Sequence, residues 1–259
     1  MTQPTLTFGT QITSALAPLT VVLLADVAGW VSTDPALQSS TERLRRLAQF
    51  DREAYRTVKT RLPYIVGSVF GEGGRLIQSL VAAHYFILDL DECKGLDGRV
   101  PDAIRHDSSV ALAFVSPSGQ GLKVVLPLLD PCTDARQFSA AYRNVAGDFG
   151  TRHRFAKSVD LRTADVTRAC FLAHDPLVHH NPDARPIDWR LWLAEGELAG
   201  LEEPGLTMLA SVRPSIEERP INKEAYRDVL RQMNPNRGSR PGVMAAPRQT
   251  FVPFSVGLN

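Results

Sequence analysis

Two carboxylates one residue apart, Asp89 and Asp91, have the type and spacing needed for chemistry. They close the run His84-Tyr-Phe-Ile-Leu-Asp-Leu-Asp91, which is apolar and aromatic enough to form a β-strand. Side chains of a strand alternate between its two faces, so both carboxylates point one way while the apolar residues beside them point into the core. Two neighbouring negative charges need a cation, and their hard oxygen atoms suit Mg²⁺ or Mn²⁺. The run predicts a metal site, unless it is only a strand that ends in a polar turn.

A second candidate is the turn Ser116-Pro-Ser-Gly-Gln-Gly-Leu-Lys123. The glycines at 119 and 121 let the backbone approach a ligand closely, and successive amides in such a turn can form an anion-binding concavity. Ser118 adds a hydroxyl donor, and Lys123 adds a point charge suited to phosphate. The same residues also suit a plain β-hairpin turn with an exposed lysine.

A third group follows in the stretch from residue 158 to residue 174. Asp160 comes after an apolar residue at a predicted strand end and is a candidate third carboxylate, although Asp165 competes for that role and also suits a turn. Arg168 has the geometry to clamp a phosphate in bidentate fashion, but it could equally pair with a carboxylate at the edge of the core. His174 closes the same stretch, where it could simply be a histidine satisfied by ordinary hydrogen bonds.

Composition bounds the class of protein. The chain has 259 residues, is 44% hydrophobic and carries a formal charge of +1, so it can bury a large core and has no global basic signal for nucleic acid. Its three cysteines lack metal-ligand spacing and favour a reducing compartment. The best N-terminal apolar run, residues 19–28, contains Asp26 and is too short for a bilayer. We therefore expect a cytoplasmic protein that does not interact with membranes.

Hydrophobic periodicity indicates the elements that position these residues. It predicts strand material at 6–31, a helix that begins at the capping box of Ser39 and Glu42 and ends by Leu62 before Pro63, and a strand at 64–70. A helix at 75–83 then leads into the strand with the two carboxylates. Further strands are predicted at 110–115, 122–128, 155–159 and 169–173. Further helices are predicted at 134–149, around Trp189 and Trp192, and at 222–233, followed by an irregular tail.

In their order along the chain, these motifs resemble those of the archaeo-eukaryotic primase superfamily. The resemblance is strongest to its primase-polymerase branch, in particular to the N-terminal domains of virulence-protein-E-type plasmid and phage proteins. It covers about residues 40–185, and the combination is far more specific than any one motif. Three further stretches carry it: Lys59-x-x-Leu62-Pro63, Gly67-x-x-Phe70, and Arg168-x-x-Phe171 to Pro176 with Asn181-Pro182.

The resemblance implies an α+β fold, in which an N-terminal α/β module packs on an RRM-like antiparallel sheet and the active site lies in the cleft between them. The implied divisions are a strand-rich segment of the catalytic domain at 1–40, a primase-polymerase catalytic core at 41–185, and C-terminal helices with an irregular tail at 186–259.

The resemblance also implies a DNA-dependent nucleotidyltransferase that makes or extends primers on a single-stranded DNA or RNA template from nucleoside triphosphates. The catalytic carboxylates, which would hold two Mg²⁺ or Mn²⁺ ions, are Asp89, Asp91 and Asp160. The residues that would bind the triphosphate are Ser116, Ser118, Gly119, Gln120, Gly121, Lys123, Arg168 and His174. The basic residues that would follow the template, or would simply be solvated, are Arg43, Arg46, Lys59, Arg61 and Arg75.

Two other functions stay open. Many members of the superfamily have histidine where this chain has Lys123, which, with the near-neutral charge, favours a catalytically degenerate module that binds single-stranded nucleic acid. A two-metal nuclease would use the same carboxylates, but it needs no triphosphate pocket, so the turn and Arg168 argue against it. For an active enzyme we expect a helicase or a CRISPR-adaptation protein as partner.

Overall fold

Residues 3–194 are described by the computed structural model, and they form a mixed α+β fold with two antiparallel sheets. The coarse α+β prediction is confirmed. The strands are β1 (Leu6–Gly9), β2 (Thr20–Val22), β3 (Tyr64–Val66), β4 (Ser68–Phe70), β5 (Leu80–Leu90), β6 (Leu112–Val115), β7 (Leu122–Cys132), β8 (Cys170–Phe171) and β9 (His179–His180). The helices are α1 (Leu24–Thr33), α2 (Pro35–Phe50), α3 (Arg52–Lys59), α4 (Asp102–Arg105) and α5 (Ala135–Arg152).

The larger sheet has the strand order β4-β5-β7-β6-β9, and the long strands β5 and β7 form its centre. On one face, Phe86, Leu88 and Leu90 are fully buried against α5, with Phe138 and Tyr142 packed edge-on to Phe86. The predicted alternation along β5 is therefore confirmed. The other face packs into a second core shared with the smaller sheet and with α1 and α2.

The smaller sheet has the order β2-β1-β3-β8 and is joined to the larger sheet at Gly67. Gly67 separates β3 from β4, and its carbonyl accepts from the amides of His84 and Tyr85. A Cβ at this glycine would lie 2.3 Å from the Tyr85 carbonyl oxygen, so only glycine allows so close an approach. The strand predicted at 64–70 is consequently two strands in two sheets.

Several predicted elements differ from the observed ones. Residues 24–33 are helix rather than strand, and the helix predicted from Ser39 begins earlier, at Pro35, because Asp34 caps it by accepting from two amides. Asp51 interrupts this helix and caps the next one. The predicted helix at 75–83 is wrong, since only a 3-10 turn precedes β5.

At the C-terminal side, α5 agrees with the helix predicted at 134–149, and the strand predicted at 169–173 is the two-residue β8. The strand predicted at 155–159 is reduced to one isolated bridge. Trp189 to Trp192 form a 3-10 helix, and Trp189 is buried in the core. The helix predicted at 222–233 and the tail lie outside the described residues. No helix between residues 3 and 194 is long and apolar enough to cross a membrane.

Candidate functional site

The pairing of β5 with β7 places Asp89 directly opposite Lys123. Their side chains form an ion pair, and Lys123 is only 4% exposed. Burial by itself would lower the pKa of Lys123, but the attraction of Asp89 outweighs it and raises the pKa. Lys123 is therefore a buried permanent cation and not the exposed lysine of a plain hairpin.

The segment from Ser158 to Asp160 runs beside the end of β5. The Asp91 amide donates to the Ser158 carbonyl at 2.7 Å, and the Asp160 amide donates to the Asp89 carbonyl at 2.9 Å. The backbones of the three predicted catalytic carboxylates are thus hydrogen-bonded into one strand end. Although Asp91 is exposed, partial desolvation and then the charge of Asp89 raise the pKa of its carboxyl, and Asp160 adds to the effect.

The carboxylate of Asp160 accepts from the Arg162 amide at 3.0 Å and from its Nε at 3.2 Å. These contacts outweigh desolvation and lower the pKa of Asp160. The competing residue, Asp165, is exposed, and its carboxylate closes a local turn by accepting from the Thr167 amide and hydroxyl. Its backbone is not hydrogen-bonded to β5, so of these two candidates only Asp160 is joined to the strand that carries Asp89 and Asp91.

The fit to a divalent cation is partial. Carboxylate oxygens are the ligand atoms that Mg²⁺ and Mn²⁺ prefer, and the Oδ1 of Asp89 is buried with the Lys123 ammonium against it. In this arrangement, however, Lys123 neutralises Asp89 and Arg162 holds Asp160. No group of three or more His, Cys, Asp or Glu side chains among the described residues is arranged to hold a metal.

The turn from Ser116 to Gly121 is a tight hairpin between β6 and β7. Three of its amides are already bonded inside it: Gly119 to the Ser116 carbonyl, Gln120 to the Ser118 hydroxyl, and Gly121 to the Ser116 hydroxyl. A ligand anion would therefore be attracted mainly by side-chain cations around the turn. Gly119 has φ +79°, a conformation that favours glycine.

Lys59 and Tyr55, both on α3, also lie near the turn and the end of β5. Sequence reasoning had not assigned either of them to the nucleotide site. Lys59 is within range of Asp89, Asp91 and Lys123, and desolvation followed by the charge of Lys123 lowers its pKa. Its ammonium lies 5.9 Å from the ring centre of Tyr55 and 5.5 Å from that of Phe171. The Tyr55 hydroxyl has a raised pKa because of burial, and its hydrogen bond to Ser118 opposes the shift.

Arg45, on α2, is a further cation, and sequence reasoning gave it no role at the site. Its side chain lies over the turn, so that a Cβ at Gly119 would meet the Arg45 Nε at 3.5 Å. It donates to the His174 carbonyl at 3.4 Å, and its buried Nε has no hydrogen-bond partner within residues 3–194. Burial lowers the pKa of Arg45, and the charge of Asp175 opposes this.

The remaining predicted residues are placed as follows. Arg168 is exposed but close enough to Asp160 to lower its pKa. His174 is held by its amide, which donates to the Thr41 hydroxyl at 2.8 Å. Arg75 is used by the fold, because its guanidinium donates to the carbonyls of Thr167 and Ile12. The exposed residues of the predicted template face are Arg43, Arg46 and Arg61.

A family whose sequence model is described as "BT4734-like, N-terminal domain" matches residues 57–179, less than half of the 259 residues. The matched range contains the predicted catalytic carboxylates, the turn and Arg168. Among solved structures, the chain is similar to the AEP domain of the cyanophage S-2L primase-polymerase, at 12% identity and a TM-score of 0.38. That similarity covers 73% of this chain and 87% of the phage chain, and a score so low establishes no shared fold. No curated protein matches this chain.

Proposed function

We propose that the place where β5 ends and β7 begins is a nucleotidyl-transfer site that uses nucleoside triphosphates and a single-stranded nucleic-acid template. The observation that carries the proposal is that carboxylates and lysine ammonium groups lie close together at this place. Asp89, Asp91 and Asp160 come together on hydrogen-bonded backbones, and Lys123 and Lys59 lie next to them. A site that binds both a divalent metal and a polyphosphate needs carboxylates for the metal and cations for the phosphates, close together.

Each side chain around the turn would contact a different part of the triphosphate or the template. Lys123 and Lys59 would neutralise the phosphates of the incoming nucleotide, and Arg45 would cover the turn from above with its unpaired Nε–H. Ser118, whose hydroxyl lies 3.0 Å from that of Ser116 and accepts from the Gln120 amide, would donate its hydroxyl to a phosphate oxygen. Arg168, exposed near Asp160, would contact the leaving group or the template. These contacts would orient the triphosphate for in-line attack.

We further propose that Asp89 and Asp91, with Asp160 as the third acid, hold Mg²⁺ or Mn²⁺. Such an ion would lower the pKa of the attacking hydroxyl and stabilise the charge that develops on the leaving pyrophosphate. The repulsion between Asp89 and Asp91, which contributes to the raised pKa of Asp91, supports a cation at this position. A nuclease is less well supported, because the cations around the turn would have no triphosphate to bind.

The test is to incubate the full chain with single-stranded templates, labelled ribo- or deoxyribonucleotides, and Mn²⁺ or Mg²⁺, with and without a primer. An Asp89→Asn/Asp91→Asn variant should make no product. A matched control, Asp148→Asn/Asp183→Asn, removes two carboxylates away from the candidate site and should keep full activity. Products without primer would identify a primase, and products only with primer would identify a polymerase.

Absence of product in every arm would overturn the catalytic proposal. One observation favours the alternative in that case. The ion pairs of Lys123 with Asp89 and of Arg162 with Asp160 satisfy two of the three carboxylates without a metal. The chain would then be a non-catalytic module that binds single-stranded nucleic acid, and its affinity for a template should not depend on Mn²⁺.

A further inference from the structure

A recess of about 570 Å³ lies beside the candidate site, on the side of α5 that faces the 161–166 segment. Three arginines line it, and Asp165 is the one carboxylate among its lining residues. Two exposed apolar side chains, Ile77 and Leu161, complete its walls and are 55% and 45% exposed. We call it the arginine recess; its basic residues are Arg136, Arg143 and Arg162.

Two of these arginines have no competing partner. Arg136 and Arg143 make no ion pair and no side-chain hydrogen bond within residues 3–194. They are seven residues apart on α5, so they share one face of the helix. The amides at the start of α5 are not free, since the Asp134 carboxylate accepts from those of Arg136 and Gln137. The positive charge of the recess therefore comes from the guanidinium groups.

The wall of the recess is fixed by the fold. The Ser139 hydroxyl donates to the Ala164 carbonyl at 2.5 Å, which ties the 161–166 segment to α5. The Asp165 carboxylate is engaged by the amide and hydroxyl of Thr167. Arg162 connects the recess to the candidate site, because it bonds Asp160, whose amide bonds the Asp89 carbonyl.

We propose that the arginine recess binds the phosphodiester backbone of the nucleic-acid strand on which the neighbouring site acts. This inference rests on the proposed function. Seven residues of α-helix separate Arg136 from Arg143 by roughly 10 Å along the axis, at a rise of about 1.5 Å per residue. Two guanidinium groups with anchors that far apart suit separate phosphates along a strand better than the contiguous phosphates of one nucleotide. The triphosphate already has its cations on the Lys123 side of the site.

The chemistry of the recess indicates how the strand is recognised. Guanidinium groups bind phosphates without reading the bases, and the lining offers aliphatic Ile77 and Leu161 but no aromatic ring for stacking. The recess is therefore expected to bind single strands of any sequence with a strong dependence on salt. DNA and RNA share the phosphodiester group, so both are to be tested.

The experiment measures binding of labelled oligo(dT) and oligo(rU) to the full chain by fluorescence anisotropy, at salt concentrations from about 50 to 200 mM. For Arg136→Ala/Arg143→Ala we expect the slope of log K against log salt to fall by about 1.4, because each lost phosphate contact contributes about 0.7 for single strands. The control, Arg105→Ala/Arg185→Ala, removes the same charge near β9, at the other edge of the sheet. It should leave the slope unchanged.

Equal slopes in the arginine variant and the wild type would overturn the inference. The inference would also be overturned if Arg136→Ala/Arg143→Ala kept its slope with oligonucleotides but bound nucleoside triphosphate more weakly than the wild type. The same holds for weaker binding of polyglutamate, a polyanion without phosphates. The product assay on the wild-type chain separates this inference from the proposed function. A lowered slope in Arg136→Ala/Arg143→Ala together with no product from the wild type would sustain the recess and reject catalysis. Equal slopes together with product from the wild type would reject the recess and sustain catalysis.

Discussion

Asp89 and Lys123 face each other across the central strand pair, and the ammonium of Lys123 occupies the position next to the carboxylates where a divalent cation would be attracted. Lys123 is buried and the Asp89 side chain is 22% exposed, so removing one partner leaves a partly desolvated charge uncompensated. A metal bound here would therefore compete with Lys123 for the charge of Asp89, whereas a bound triphosphate would be attracted by Lys123.

Replacing Lys123 by methionine should strengthen Mn²⁺ binding on the order of tenfold. Two unit charges about 4 Å apart interact by a few kcal/mol at an effective dielectric constant of about 20. We expect part of this interaction energy to appear as tighter binding of Mn²⁺ once the lysine charge is removed. The same variant should bind triphosphate more weakly. Mn²⁺ titration followed by electron paramagnetic resonance measures the first effect. Lys157→Met, an exposed lysine, is the control. Unchanged Mn²⁺ affinity would show that Lys123 and the metal do not share Asp89.

Replacing Arg45 by methionine should weaken triphosphate binding by about ten- to a hundredfold, the equivalent of the roughly 1.5–3 kcal/mol of one hydrogen bond to a charged group. The reason is that its unpaired Nε lies over the turn. Arg43→Met removes the same charge from an exposed position of the same helix and should have little effect. Isothermal titration with a non-hydrolysable triphosphate makes the comparison. Equal losses in both variants would mean that only net charge matters.

The features that could be predicted from the sequence are those encoded by neighbouring residues. The alternation of β5 was visible because its period of two separates Phe86 and Leu88 from Asp89. The hairpin was visible because Pro117, Gly119 and Gly121 favour a turn.

Other features depend on contacts between distant segments. Arg45 and Lys59 reach the site from helices that precede it by tens of residues, and no local pattern indicates which of many basic side chains will do so. The helix α1 was missed because its apolar residues form one dense run, which suits a buried helix as well as a strand.

Gly121 fixes the distance between the turn and the end of β5. A Cβ there would lie 2.3 Å from the Leu90 carbonyl oxygen and 3.4 Å from the Asp91 Cα. Gly121→Ala should therefore lower the free energy of unfolding by about 1–3 kcal/mol, as overpacking does, and should displace Asp91. Gly147→Ala, inside α5 with no atom within 4 Å of the added Cβ, should instead stabilise by up to about 1 kcal/mol. Thermal unfolding of both variants would check these opposite signs; a neutral Gly121→Ala would refute the close approach.

A buried acid away from the site should govern the stability of the fold at low pH. The Asp107 carboxylate accepts from His153 Nε2 and Arg152 Nη1, each at 2.8 Å, and from the amide and hydroxyl of Ser109. The hydrogen bond from His153, followed by those from Ser109 and Arg152, outweighs burial and holds the pKa of Asp107 far below its usual range. Ionised Asp107 thereby connects α5 to the loop before β6.

A carboxyl whose pKa is lower in the folded state contributes stability above its unfolded pKa, which is about 3.9, and loses it as the pH falls further. Asp107→Asn should therefore cost about 1–3 kcal/mol at neutral pH, the range for hydrogen bonds to a charged group. The difference in Tm between variant and wild type should shrink below about pH 4. Asp148→Asn, which breaks a half-exposed pair with Arg152, should cost only a few tenths of a kcal/mol at any pH. A difference for Asp107→Asn that stays constant from neutral pH to about pH 2 would show that its charge does not stabilise the fold.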